Sequence, residues 1–118
     1  KVGIVRAALI ASSYDDAIDL GQGSAVEELA FRGFLYRWLV SRNFESVPFG
    51  YFSLIALVAS SMLFGMLHER WLAASLSGAV FALVMWRTNR LSAPIAAHAI
   101  ANALICGWAI AFRQWSLL

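Results

Sequence analysis

The sequence predicts an all-α, polytopic transmembrane helix bundle of about four spans, and three observations carry that prediction. Of its 118 residues, 61% are hydrophobic and only 14% charged, against about 45–50% apolar and about 25% charged in soluble domains. The apolar residues gather in four long runs, and the mean hydropathy is +0.71. No stretch alternates polar and apolar residues as a half-buried strand does. A soluble chain of this length can bury a core but cannot hide this much apolar surface. Lipid can cover the remainder.

Residues 1–23 read as a membrane-proximal connector, 24–113 as the core domain and 114–118 as a C-terminal tail. Residues 2–11 are apolar but too short to span, and residues 12–19 (SSYDDAID) read as a solvated loop whose aspartates resemble a metal site only superficially. The chain begins at Lys1 with nothing resembling a cleavable signal, so one domain of a longer membrane protein is expected. The first run covers residues 24–40, with Ser24 as N-cap and Glu27 as its capping-box partner. A polar loop follows at 41–48. The second run, 49–67, is almost wholly apolar and ends at His68-Glu69-Arg70. The third, 71–86, repeats small residues at Ala74, Gly78 and Ala82, a spacing that lets two helices approach closely in lipid. After a basic turn at 87–90, the fourth run covers 92–112, with Pro94 in its first turn, where proline is tolerated. A span takes about 20 apolar residues, range about 17–25. The fourth run qualifies alone and the second nearly does; the first and third are short but long enough inside a bundle.

A net charge of +2 suggests nucleic acid only weakly, because no basic stripe interleaved with aromatics exists. Arg37 and Arg42 fall in or near the first interhelical loop, and Arg87 and Arg90 in the third. Four alternating spans put both loops on one side, and the excess of arginine there assigns that side to the cytoplasm. Trp38, Trp71, Trp86 and Trp115 near run ends fit an aromatic belt, although helix-packing tryptophans give the same pattern. Cys106 is the single cysteine, which excludes an internal disulfide and any Cys-based zinc cluster; within an apolar helix it reads as a packing residue.

Against this background the polar residues inside the runs stand out. A charge at mid-membrane costs about 2.5–3.5 kcal/mol on insertion scales, so such residues mark functional sites by default. Glu28 and Arg32 are spaced i,i+4 and share one helical face. Glu27 points about 100° away on a 3.6-residue turn and has no such neighbour; burial without a partner raises a carboxyl pKa, which suits a general base. Two acids favoured by a helix dipole are the plainer reading of the same residues. His68 closes the second run, where a packing role is commoner than catalysis. His98 and Asn102, again i,i+4, lie inside an apolar helix where lipid cannot satisfy them, and a bare interhelical hydrogen bond would explain both. Taken together, a carboxylate, two imidazoles and an amide supply a base, a water-positioning group and two oxyanion donors, the minimum for peptide hydrolysis.

In order, Glu-Glu-x-x-x-Arg (27–32), Phe-x-x-x-His (64–68) and His-x-x-x-Asn (98–102) across hydrophobic helices resemble the CAAX protease and bacteriocin-processing (CPBP, or Abi) family. The resemblance covers residues 24–108, and stretches around Glu27 and Trp71 resemble a bacterial subgroup associated with exosortase protein-sorting systems. It implies an intramembrane endopeptidase of a bacterial inner membrane, acting on a membrane-associated protein or peptide. By the same resemblance Glu27 is the base, assisted by His68; Glu28 and Arg32 are the structural pair; His98 and Asn102 stabilise the oxyanion. The family has also been described as metalloproteases. In that case Glu27, His68 and His98 are the expected zinc ligands, but the tight His-x-x-x-His or His-Glu-x-x-His signature is absent. Metal-free, glutamate-type catalysis is therefore the expectation. The family's full-length members usually carry more spans than four. Two other classes compete: a non-catalytic immunity or scaffold relative, and a small transporter subunit using the same groups as a proton relay. Retention of all six polar residues argues against the first, and the lack of an inverted repeat against the second.

Overall fold

The computed structural model describes residues 23–117, which form helices and connecting loops with no strand. The expected connector at 1–23 lies outside the described residues but for Gly23. Helix α1 runs unbroken through residues 23–40. Its middle, Leu29–Leu35, is π-helical: the Tyr36 N–H reaches back five residues to the Phe31 carbonyl, and Tyr36–Val40 then resumes the α form. Such wide turns are rare and often occur beside functional sites. The helix is already formed at residue 23, so Ser24 is not its N-cap and Glu27 is not a capping-box partner. Ser24 is instead a buried residue on the inner face.

The loop from Ser41 to Ser53 is stitched to α1 by two side chains. Arg37 donates from Nε to the Val47 carbonyl at 2.8 Å, from Nη1 to Gly33 at 3.0 Å and from Nη2 to Glu45 at 3.1 Å. The Tyr36 hydroxyl donates to the Tyr51 carbonyl and accepts from the Ser53 N–H, both at 2.9 Å. The Tyr36 bonds claim the Tyr51 carbonyl and the Ser53 N–H, and α2 starts five residues later than the apolar run suggests. It spans Leu54–Met66, capped by Ser53, whose side chain accepts from the Ala56 N–H at 3.2 Å. Thirteen residues give a helix about 20 Å long, short of a hydrocarbon core about 30 Å thick.

Helices α3 (Trp71–Thr88) and α4 (Ser92–Phe112) are each long and apolar enough to cross a membrane. Asn89 ends α3 in the left-handed conformation at φ 52°, and its Oδ1 accepts the Gly50 N–H at 2.6 Å. That bond ties the α1–α2 loop to the α3–α4 turn at one end of the bundle. At the other end, Arg70 donates to the Ser116 carbonyl. The small core of Tyr36, Ala56, Ala82 and Met85 sits between α1, α2 and α3. Much of the apolar surface faces outward, including Ile55 (79% exposed) and Leu104 (68%), as expected where lipid is the solvent.

Helices α2 and α3 touch at glycine. A methyl group on Gly65 would collide with Ser75 Oγ and come within 2.5 Å of the Trp71 carbonyl oxygen, which is backbone and cannot step aside. Gly65→Ala is therefore expected to lower stability by about 1–3 kcal/mol, as overpacking does, read as a lower thermal midpoint in detergent. An unchanged midpoint would mean that the two helices do not meet here.

Candidate active site

Helices α1 and α4 and the turn after α2 deliver the polar side chains to one place. Glu28 and Arg32 are both 0% exposed and pair at 3.1 Å through Oε1 and Nη1. The opposite end of the guanidinium donates from Nη2 to the Gly78 carbonyl at 2.6 Å, across to α3. Its plane lies over the Phe64 ring at 4.6 Å, a contact that stabilises a desolvated cation. A Cβ on Gly78 would come within 2.7 Å of that same Nη2. Only glycine leaves room for the arginine there.

The second contact of Glu28 is His98, whose Nδ1 lies 2.9 Å from the same Oε1. A carboxylate facing a guanidinium accepts hydrogen bonds, so His98 carries its proton on Nδ1 and donates. His68 follows the same logic: its Nδ1 is 2.7 Å from the Phe64 carbonyl, which can only accept. In their neutral forms both imidazoles thus direct an Nε2 lone pair toward Glu27, whose Oε2 is 3.6 Å from His98 Nε2 and 4.0 Å from His68 Nε2. Glu27 Oε2 is itself buried without a hydrogen bond inside the protein. The rest of the side chain is not enclosed: Glu27 is 41% and His68 37% exposed, whereas His98 is 6%. The cluster has a buried, ion-paired back and an open front.

Asn102 lies one turn beyond His98 on the same face of α4 and donates from Nδ2 to Ser24 Oγ at 3.2 Å. Glu27, Glu28, Arg32, His68 and His98 are thus joined by direct contacts, with Asn102 one turn from His98 and tied to Ser24, and the two glutamates have different surroundings. Glu28 is sealed against Arg32; Glu27 faces the histidines.

The parts that four further residues play at the site escaped the sequence reading. Ser24 partners Asn102 rather than capping a helix. Gly78 acts through its carbonyl, which has no sequence signature. Phe64 touches His68, His98 and Arg32, and Phe81 lies against His98. The interval of four between Phe64 and His68 was the one available signal.

Tetrahedral zinc holds nitrogen and oxygen donors at about 2.0–2.2 Å, which sets neighbouring donors roughly 3.3–3.5 Å apart. The 4.0 Å between Glu27 Oε2 and His68 Nε2 is too wide for that geometry. Among the described residues no group of three His, Cys, Asp or Glu side chains is arranged to hold a metal ion.

Among the described residues, two membrane-length apolar helices occur together with a buried carboxylate–imidazole cluster, the arrangement of a membrane-embedded polar site. The family model described as type II CAAX prenyl endopeptidase Rce1-like matches residues 18–104, most of the chain, and the chain belongs to that CAAX/CPBP family. It is accordingly a membrane protein of a protease family. No curated protein and no solved structure matches it.

Proposed function

We propose that the chain hydrolyses a peptide bond of a membrane-associated protein or peptide, using water activated by Glu27 and His68 without a metal ion. The observation that supports this most is the convergence of three acceptor atoms, Glu27 Oε2 and the Nε2 atoms of both histidines, at 3.6 and 4.0 Å. Acceptors do not bond one another; the partner they share is a donor, and a water molecule brings two O–H groups to the same point. Loss of one proton to Glu27 leaves a hydroxide-like oxygen beside the scissile carbonyl. As that carbonyl becomes tetrahedral, Asn102 and His98 on α4 stabilise the oxyanion. His98 contributes from its doubly protonated form, taking on Nε2 a proton from solvent at the open front as the oxyanion forms and returning it when the intermediate collapses, with Glu28 as counter-charge. The proton on Glu27 passes to the departing amine, which closes the cycle. Glu28 and Arg32 hold the back of the site in place.

The test is cleavage, by the purified chain in lipid nanodiscs that leave both membrane faces open, of a quenched fluorescent peptide that is prenylated and ends in a CAAX sequence, a surrogate substrate taken from the description of the matched family. Cleavage that persists in EDTA and 1,10-phenanthroline is expected. A loss restored by added zinc would overturn the metal-free mechanism.

We further assign the 41–53 and 89–91 loops, which the Gly50–Asn89 bond joins, to the cytoplasmic side, a reading supported by the arginine bias. His68, beyond the far end of α2, then opens outward. This arrangement suits a substrate processed after export, in keeping with an exosortase-linked system in a bacterial inner membrane. After replacement of Cys106, a cysteine at position 69 is expected to react with an impermeant thiol reagent in whole cells, and one at position 42 is not. The reverse labelling would send the substrate search to the cytoplasm.

A further inference from the structure

Helix α3 brings no titratable group to the cluster, yet two of its residues touch it. Gly78 gives its carbonyl to Arg32. One turn later Phe81, 5% exposed, lays its ring on the His98 imidazole with centroids 4.7 Å apart and planes 19° from parallel. Phe64 meets the same imidazole edge-on from α2, at 5.7 Å and 80°.

The hydrogen bond from His98 Nδ1 to Glu28 fixes a direction but not a plane. An imidazole held by that bond alone can turn about the Nδ1–Oε1 axis, and turning carries Nε2 away from Glu27 Oε2, 3.6 Å distant. A flat ring on the imidazole face removes that freedom, and a perpendicular ring at its edge blocks the other side. Aromatic pairs prefer such offset-stacked and edge-on arrangements. The Phe81 ring also lies 5.6 Å from the Arg32 guanidinium carbon, so one side chain bears on both partners of Glu28.

We propose that Phe81 is a positioning residue for hydrolysis: its ring sets the plane of the His98 imidazole and so the aim of Nε2. The proposal rests on the reading of His98 given above. A misplacement of about 1 Å in a reacting group can cost about a hundredfold in rate, whereas a ring that merely filled space would be replaceable by leucine.

Three variants of the full chain in nanodiscs, assayed on the prenylated CAAX peptide, separate these cases. Phe81→Leu keeps most of the volume and loses the flat face; its kcat is expected to fall about tenfold to a hundredfold, with KM unchanged. Phe81→Tyr keeps the ring and is expected to keep most of kcat. Parental kcat in Phe81→Leu, or equal losses in both variants at equal folded content, overturns the proposal. Parental activity in His98→Ala would instead remove the reading of His98 on which it rests. Independently of substrate and variants, the ring C–H protons of His98 in histidine-labelled parent protein should resonate upfield of free imidazole, because they lie over an aromatic face. Resonances at the free-imidazole positions overturn the proposal even where Phe81→Leu does not fold.

Discussion

Glu27→Gln is expected to reduce kcat by about 10²- to 10⁴-fold, the usual worth of a general base, while folded yield and thermal midpoint stay at parental values. The two expectations come from different features of the same side chain. Glutamine is isosteric with glutamate but cannot take a proton from water, so the chemical step loses its base. Stability should not follow, because Glu27 is 41% exposed and its inward oxygen makes no hydrogen bond within the protein. Single-turnover cleavage and a melting curve on one preparation check both halves. Near-parental turnover in Glu27→Gln would assign the base elsewhere.

Glu28→Gln is expected to fail in the opposite way. Glu28 Oε1 takes hydrogen bonds from Arg32 and His98, and both members of the ion pair are fully buried. Removing the carboxylate leaves the guanidinium without its counter-charge in a desolvated place, a break worth about 3–5 kcal/mol. That is a large part of the stability of an ordinary domain, so little folded protein should be recovered. The double variant Glu28→Gln/Arg32→Met removes both charges and is expected to regain much of the midpoint, since a buried pair replaced by apolar packing is often tolerated. Activity should stay low, because His98 has lost the charged acceptor on Nδ1. Should Glu28→Gln melt with the parent, or the double variant melt no higher than the single, the pair would not be the buried strut described here.

The contrast between these glutamates was legible before any coordinates, because membrane burial makes every intrahelical charge conspicuous. Spacing alone put Glu28 with Arg32 and His98 with Asn102 on shared faces, and α4 begins and ends where its apolar run does. The start of α2 was not legible. Phe49, Tyr51 and Phe52 continue an apolar run, and nothing local says that the Tyr36 hydroxyl takes the backbone of residues 51 and 53 from fifteen or more residues away. Ser24 misled for a related reason: the signal for a cap is a small polar residue before an apolar run, and a buried partner for an asparagine looks the same. The carbonyl of Gly78 and the ring of Phe81 are tertiary facts. Glycine and phenylalanine in an apolar helix suit packing equally well, and only the approach of α1 and α4 gives them a further use.

The wide-turned stretch Leu29–Leu35 has a consequence for how this chain tolerates insertions and deletions. It is a phase shifter between the two halves of α1. Below it, Tyr36 meets the loop and α2; above it, Ser24, Glu27 and Glu28 meet α4 and the histidines. Its turns close on i→i+5 bonds and hold more residues than an α turn does, so the angle between the two halves is set within this stretch. In the α-helical parts on either side, an inserted or deleted residue turns what lies beyond it by about 100°. Correct spacing in this helix is therefore an angular requirement, and a wide turn is where an extra residue can be absorbed.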